Sequence, residues 1–345
     1  MRVGILGLGK MGRLHLMNAL RMDNATVVAV ADQSKRNLRK ARNLNSHLKT
    51  YDDYKKLIDS EDLNAVVISL PNFLKEESIL YALEKNLDIF VDKPLARNFP
   101  EAERIAKKVR AKDVRLMVGV NYRYIDSVQK LKKKVDEGQI GDAVIATLEL
   151  IMNGPFSHPL VPQPVQEWWL NREKSGGGAL IDLGYHLIDI CNWMFGDLEL
   201  SYSTLGHGYN LPIEDSATLV LRSTKTGTRC VMNVGWFSRI IFPRFNFRVN
   251  MHGTNGYIST DQFAPRNFYL NSAKEALSNI AKRVTGRKIN LLSYTYYYNS
   301  FAKVLENFFD DVTKDEDSSV SLDGQIEVIK LIEDAYKKHE VAVND

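Results

Sequence analysis

Three glycines near the start of the chain constrain its fold more than any other feature. Residues 1–6 form a short apolar run, and Gly7, Gly9 and Gly12 follow it in a G-x-G-x-x-G spacing. A helical pattern begins at once (Leu14, Met17, Leu20). A second apolar run, residues 26–31, ends in Asp32, twenty residues past Gly12. Each part has a mechanical reason. Gly7 permits a tight turn after the strand, Gly9 lets the backbone approach a pyrophosphate, and Gly12 lets helix and strand pack closely, with the phosphates at the helix N-terminus. Lys10 and Met11 lie inside that turn and join it as cofactor-contacting positions. Three glycines alone say little; between a strand and a helix, with an acid at this distance, they specify a dinucleotide-binding unit. A carboxylate at Asp32 can take ribose hydroxyls and repels a 2′-phosphate, which favours NAD. Ser34, Lys35, Arg36 and Arg39 lie just beyond it. A basic side chain there, such as Arg36, can neutralise a 2′-phosphate, so NADP stays open beside NAD.

The next hundred residues repeat the strand–helix alternation. Apolar runs at 65–70, 87–91 and 116–120 read as strands, separated by helical patterns. Such order implies a parallel sheet with right-handed crossovers, in which ligands gather at the carboxyl ends of the strands. Leu70-Pro71-Asn72, Asp92-Lys93-Pro94 and Asn121-Tyr122-Arg123 all fall at those ends, as does the glycine turn. Leu70, Pro71, Asn72, Asp92, Lys93 and Asn121 are therefore expected at the cofactor. Beyond Tyr124 the texture changes to longer alternating runs joined by short turns (Lys225-Thr226-Gly227, then 253–256), which suggests an antiparallel sheet. The reading is an α/β Rossmann domain over residues 1–122, followed by an α+β domain over 123–345.

The chemistry concentrates in residues 178–189, Gly-Ala-Leu-Ile-Asp-Leu-Gly-Tyr-His-Leu-Ile-Asp. This run has the apolar content of a buried helix, yet Asp182, His186 and Asp189 interrupt it. Spacings of four and three put them on one helix face. A carboxylate and an imidazole among apolar neighbours are costly unless paired or used, and pKa values shift toward acid–base work at such places. Asp182 and His186 are thus candidate catalytic residues. Asp189 either orients His186 or caps a buried hydrogen-bond network. Lys93 stands between a buried strand and a proline, which biases it toward an extended backbone and limits where its ammonium can point. It is read as an ammonium beside a reacting hydroxyl. Trp168, Trp169, Tyr122 and Tyr124 can stack on a sugar or a nicotinamide, although aromatic side chains are more often core. Lys93, Arg123, Tyr124, Trp169, Asp182 and His186 form the expected substrate-binding set.

Length and composition fit two domains of an ordinary globular protein: 345 residues, with 46 Lys and Arg against 42 Asp and Glu. The charges are interspersed, which argues against a nucleic-acid surface. No apolar stretch is long enough to span a bilayer, and no metal-ligand spacing appears around the two cysteines or seven histidines. The chain runs straight into its first strand without a signal peptide, so a reducing cytoplasm is expected and a metal is not.

These residues resemble the glucose–fructose oxidoreductase and inositol dehydrogenase family, called Gfo/Idh/MocA. The resemblance rests on the glycine turn, Pro71-Asn72, Asp92-Lys93-Pro94-Leu95, Gly119 with Arg123, and the Gly176-Gly177-Gly178…Asp182…Gly184…His186…Asp189 signature. The turn at 253–256 and Ser321-Leu322-Asp323-Gly324 are similar as well. It implies a second domain with a large, mostly antiparallel open sheet whose outer face builds homo-dimers or homo-tetramers. It implies metal-free, reversible oxidation of a secondary alcohol on a sugar, cyclitol or nucleotide sugar, with Lys93, Asp182 and His186 at the catalytic positions. Two departures stand out. Asp92 replaces the family's usual Glu, and Lys75 occupies a place where the family often has His. In the expected mechanism His186 takes the hydroxyl proton, Lys93 stabilises the alkoxide and Asp182 tunes the imidazole. Two other readings of the fold are a non-enzymatic NAD(P)-sensing regulator and an NAD-dependent glycosidase. The basic residues of segment 282–288 could meet a diphosphate, although a solvated loop is the plainer reading.

Overall fold

A computed structural model describes residues 1–156, 166–237, 246–265, 268–285 and 295–344. Most of the Pro-rich loop after Gly154 lies outside the described residues, as do Arg287 and Lys288 of the basic segment.

The first half alternates strand and helix as expected: β1 Arg2–Leu6, α1 Lys10–Ala19, β2 Thr26–Ala31, α2 Lys35–Leu44, β3 Lys49–Tyr51, α3 Tyr54–Ser60, β4 Ala65–Ile68, α4 Asn72–Glu84, β5 Asp88–Asp92, α5 Phe99–Val109 and β6 Leu116–Gly119. All pairings in this sheet are parallel, in the order β3-β2-β1-β4-β5-β6. β4 and β6 are buried at every residue. Such strands need helices on both faces, which is why they read as continuous apolar runs. The strand order reverses between β1 and β4, so the glycine turn after β1 and Leu70 after β4 open on the same crevice. β3 was not anticipated. It has three residues, begins with an exposed lysine and pairs only with β2, so its sequence carries no strand signal.

The 3₁₀ turn Asn121–Tyr124 and α6 Asp126–Asp136 lead to the second sheet. Its strands are β7 Ala143–Met152, β8 Leu198–Gly206, β9 Ser216–Ser223, β10 Arg229–Trp236, β11 Asn246–Gly253 and β12 Tyr257–Ser259, in the order β12-β11-β7-β10-β9-β8. β7 and β10 are parallel; every other pair is antiparallel. Alternation along β9 and β10 buries Ala217, Leu219, Leu221, Cys230, Met232 and Val234 on one face. Between β7 and β8 come α7 Arg172–Ser175, a π turn Leu180–Gly184 and α8 Tyr185–Phe195. The chain closes with α9 Phe268–Val284, α10 Thr295–Lys314 and α11 Leu322–Asn344. α9 falls in a stretch read only as basic. α10 packs on α1, β5 and β6, whereas α11 packs on α5, α8 and β8, so the terminal helices bridge both sheets. Among the described residues no helix is long and apolar enough to cross a membrane, and no group of His, Cys, Asp or Glu is placed to hold a metal ion.

The run 178–189 is one apolar segment in two conformations: a wide π turn, then an α-helix. Its entry explains the three glycines. Gly176 has φ +90° and Gly177 φ +148°. A Cβ on Gly177 would stand 1.9 Å from the Tyr336 hydroxyl, and one on Gly178 2.0 Å from the Glu214 carbonyl. Such close approach lets the buried Glu214 carboxylate accept the amides of Gly178 (2.8 Å) and Leu180 (3.0 Å) and the Tyr336 hydroxyl (2.7 Å). Otherwise these amides of a buried helix start would be unpaired.

A buried ion pair ties the two halves together. The Arg123 guanidinium donates to both Asp189 oxygens, at 2.7 and 2.6 Å, with both side chains almost wholly enclosed. Gln325 also donates to Asp189 (2.6 Å) and accepts from Tyr185 (2.8 Å). The reading of Arg123 as a substrate ligand is therefore corrected, and Asp189 serves this network rather than His186. Arg123→Met leaves Asp189 a buried charge without its cation, and should cost about 3–5 kcal/mol in urea unfolding. A substrate ligand would show itself by a KM rise of about tenfold; here KM is expected to stay near the wild-type value.

Candidate active site

The glycine turn has the shape that its sequence predicts. Gly7 sits at φ +90°, and a Cβ there would lie 2.5 Å from the Ser69 carbonyl. A Cβ on Gly12 would lie 1.8 Å from the Gly7 carbonyl, so α1 packs on β1 only without one. Gly9 differs: a Cβ there meets nothing within 4 Å. Its need for glycine is therefore not internal packing but access from outside. Gly9 is also the N-cap of α1, with no side-chain cap and no acidic residue in the first turn. Uncapped amides with positive helix polarity suit a pyrophosphate. Asp32 accepts the Leu8 amide at 2.7 Å, the Ser34 amide at 2.7 Å and the Asn37 side-chain amide at 3.2 Å. That fixes its carboxylate at the end of β2, above the same crevice. Lys10 and Arg36 are exposed, Met11 is half-buried in the first turn of α1, and Leu70 and Pro71 are half-buried just past the end of β4. The residues present fit a dinucleotide.

Three of the expected cofactor residues spend their side chains inside the protein. Asn72 donates to the Ser175 carbonyl (2.7 Å), joining α4 to the glycine run. Asn121 is buried and donates to Ser300 Oγ on α10 (2.9 Å). Asp92 accepts Ser69 Oγ at 2.6 Å and pairs with His15 Nε2 at 2.8 Å. Burial pushes the Asp92 carboxyl up, but the charge and hydrogen bond of His15 outweigh it and hold it below the usual range.

The centre of the site is a contact between the two halves. Lys93 Nζ donates to Asp182 Oδ1 at 2.7 Å and to the Asp182 carbonyl at 2.6 Å. Asp182 Oδ2 accepts Trp236 Nε1 at 3.0 Å. The Trp236 ring is buried and stacks on Trp169, with centroids 6.0 Å apart and planes 16° apart. Gly154 makes room for it, since a Cβ there would lie 2.1 Å from the indole. His186 lies under the Tyr122 ring, centroids 4.1 Å apart. Its Nδ1 is enclosed and has no hydrogen-bond partner. Burial first, and the Lys93 charge second, push its imidazole well below the ordinary histidine range. It is therefore neutral at neutral pH and carries an unmet hydrogen-bonding atom. The expected Asp182–His186 partnership is corrected: Asp182 gives both oxygens to Lys93 and Trp236. The Lys93 ammonium is the charge-assisted donor of the two.

The 3₁₀ turn after β6 sorts its own side chains. At three residues per turn, consecutive side chains diverge and residues three apart eclipse. Tyr122 covers His186. Arg123 turns to Asp189 on α8, and the Tyr124 hydroxyl lies 3.4 Å from Ser319 Oγ, within reach of the Arg123 and Asp189 charges. Arg123 and Tyr124 thus leave the site, and Tyr122 is the member of the triplet that enters it. Trp236 and Tyr297 were not anticipated. The charge of Asp182 reaches both Tyr122 and Tyr297, whose rings lie 5.6 Å apart. The aromatic run from Tyr294 to Tyr298 was the available sign for Tyr297; the end of an alternating strand gave none for Trp236.

Similar proteins share this sequence pattern and fold. Residues 1–120 match the family model described as an oxidoreductase family with an NAD-binding Rossmann fold, and residues 128–259 match the GFO/IDH/MocA C-terminal domain. A myo-inositol 2-dehydrogenase of Thermotoga maritima is 25% identical over 329 residues, covering 93% of this chain and 91% of that one. An inositol 2-dehydrogenase/D-chiro-inositol 3-dehydrogenase of Lacticaseibacillus casei is 30% identical over 199 residues, 57% of this chain and 53% of that one. The fold matches the structure of scyllo-inositol dehydrogenase from Lactobacillus casei with bound NAD(H) and scyllo-inositol. Its TM-score is 0.78 at 16% identity, covering 99% of this chain and 97% of that one.

The two inner glycines should respond differently to a methyl group. Gly12→Ala forces α1 off β1 and should cost at least about 1–3 kcal/mol of stability, read as a lower denaturation midpoint. Gly9→Ala should unfold like the wild type yet lose about tenfold or more in NADH affinity by fluorescence titration. Equal affinity in Gly9→Ala would take the pyrophosphate away from this turn.

Proposed function

The chain belongs to the Gfo/Idh/MocA oxidoreductase family, and from that premise we propose that it moves a hydride between NAD and a secondary alcohol of a cyclitol or sugar. The observation that carries this reading is the Lys93 ammonium, fixed by Asp182 across the two halves and close enough to a neutral, buried His186 to shift its titration. NAD, when bound along the strand ends, supplies the hydride acceptor. The chain's own residues supply the rest. His186 is neutral and so can take the hydroxyl proton as the carbinol is oxidised. Lys93 donates to the oxygen as negative charge develops on it. Asp182 keeps that ammonium in place, and Trp236 keeps Asp182 in place. Proton transfer by a positioned side chain is typically worth ~10²–10⁴-fold. Trp169, stacked on Trp236, offers a ring face to the C–H side of a cyclitol or pyranose. The named relatives that act on inositols support a polyol ring as the substrate class.

The half-exposed outer face of the second sheet, with Tyr202 and Tyr257 at 52% and 48% exposure, is the surface we assign to self-association. Light scattering of the purified protein should give a mass above one chain.

A panel of inositols and sugars, incubated with NAD and followed by NADH absorbance, tests the activity. Net NADH formation is expected. Sugar release without net NADH would instead indicate transient oxidation by a glycosidase, and neither product would indicate a sensor. On the accepted substrate, Lys93→Ala and His186→Ala should each lower kcat by about 10²-fold or more while NADH still binds.

The pH profile follows from the imidazole. Oxidation needs neutral His186, whose pKa is depressed, so kcat/KM should persist as pH falls through 6.5 and decline only below it. Lys93→Met removes the second cause of that depression and should move the acid limb upward, short of the ordinary value because burial remains. An unmoved limb would mean that another group controls it.

A further inference from the structure

Among the described residues, Lys75 is the one wholly buried lysine, and its partners are all main-chain atoms of the loop after β5. It lies on α4 at 2% exposure, at a place where the resemblance noted above implies His. Its Nζ donates to the carbonyls of Asp92 (2.7 Å), Lys93 (2.9 Å) and Pro94 (3.1 Å). An ammonium has three donors and no acceptor, so its inventory matches these three carbonyls one for one. A histidine has at most two N–H groups on opposite sides of a ring and could not hold three consecutive carbonyls. The same loop is held at its other points. The Asp92 side chain is fixed by His15 and Ser69, and the Leu95 amide donates to the Tyr185 hydroxyl at 3.4 Å. Asp92, one carbon shorter than the Glu that the resemblance implies, meets Lys75 through its main-chain carbonyl, while its carboxylate is taken by His15 and Ser69. The two departures from the family pattern therefore meet at one loop.

We propose that Lys75 is a positioning residue for Lys93: it clamps the backbone of residues 92–94 so that the Lys93 ammonium is aimed at Asp182 and the reacting oxygen. A buried charge is an expensive way to pair three carbonyls. Burial, opposed by the charge of Asp92 and aided by that of Lys93, pushes the Lys75 ammonium down to about 7. An apolar residue of this length would fill the same space without that cost, but would leave the loop free to rotate Lys93 away. The clamp also sets a distance: loss of it need shift Lys93 by only about 1 Å to cost ~10²-fold in rate.

The inference rests on the reading of Lys93 as the alkoxide-stabilising group, and its test separates the two. Trace acetylation with acetic anhydride, read by mass spectrometry on the Lys93 peptide against exposed Lys107, needs no substrate. Lys75→Met should raise Lys93 labelling about fivefold or more as the ammonium leaves Asp182. Unchanged labelling in a folded variant overturns the proposal. If Lys75→Met does not fold, Lys75→Gln, which keeps two N–H donors, carries the same comparison. On the accepted alcohol, Lys75→Met should lower kcat about 10- to 100-fold with NADH affinity within twofold. In a Lys93→Ala background the same substitution should change kcat less than about twofold, since there is nothing left to position. An equal loss in both backgrounds would make Lys75 a structural residue only. A wild-type enzyme that oxidises no alcohol would remove the reading of Lys93 and leave the labelling result to judge the clamp.

Discussion

The contact between Lys93 and Asp182 is the interaction on which the site depends. Lys93 follows β5 of the first sheet and Asp182 lies in the π turn beneath the second, 89 residues later. Each side chain is only 21–25% exposed. A lone ammonium or carboxylate at that depth would carry a desolvation cost with nothing to offset it. Together they offset it, and the second bond from Nζ to the Asp182 carbonyl makes the geometry of the pair specific to this turn. The two sheets therefore meet through a polar contact whose loss would separate the groups that have to act together. Much of the surrounding architecture serves to place its two ends. Glu214 caps the segment that holds Asp182, Trp236 orients the carboxylate, and Lys75 holds the loop behind Lys93.

What was legible in the sequence was whatever a local pattern encodes. The glycine turn, the strand ends and the shared segment of Asp182 and His186 could be read because each follows from spacing along one element. The parts that escaped depend on three-dimensional order. β3 is too short and too polar to announce itself. The π turn and α8 share one apolar run, since composition does not distinguish a wide turn from a narrow one. Arg123 and Tyr124 flank a residue that does enter the site, and only the threefold divergence of a 3₁₀ turn separates them. Lys75 stood out as a departure, but its partners are three carbonyls seventeen to nineteen residues downstream, and carbonyls leave no trace in a sequence.

The pairing of Asp182 with Lys93 rather than with His186 has a chemical consequence. A carboxylate hydrogen-bonded to an imidazole favours the imidazolium, and a buried imidazole without one favours the neutral base. The site needs an ammonium and an imidazole side by side, one cationic to meet a developing alkoxide and the other neutral to accept its proton. Had Asp182 bonded His186, it would have favoured the imidazolium and left the ammonium without its anchor. With Asp182 turned to Lys93, the carboxylate fixes the cation, and the cation in turn helps to keep the histidine neutral. In the reducing direction the same imidazole would have to arrive protonated, against both burial and the adjacent charge.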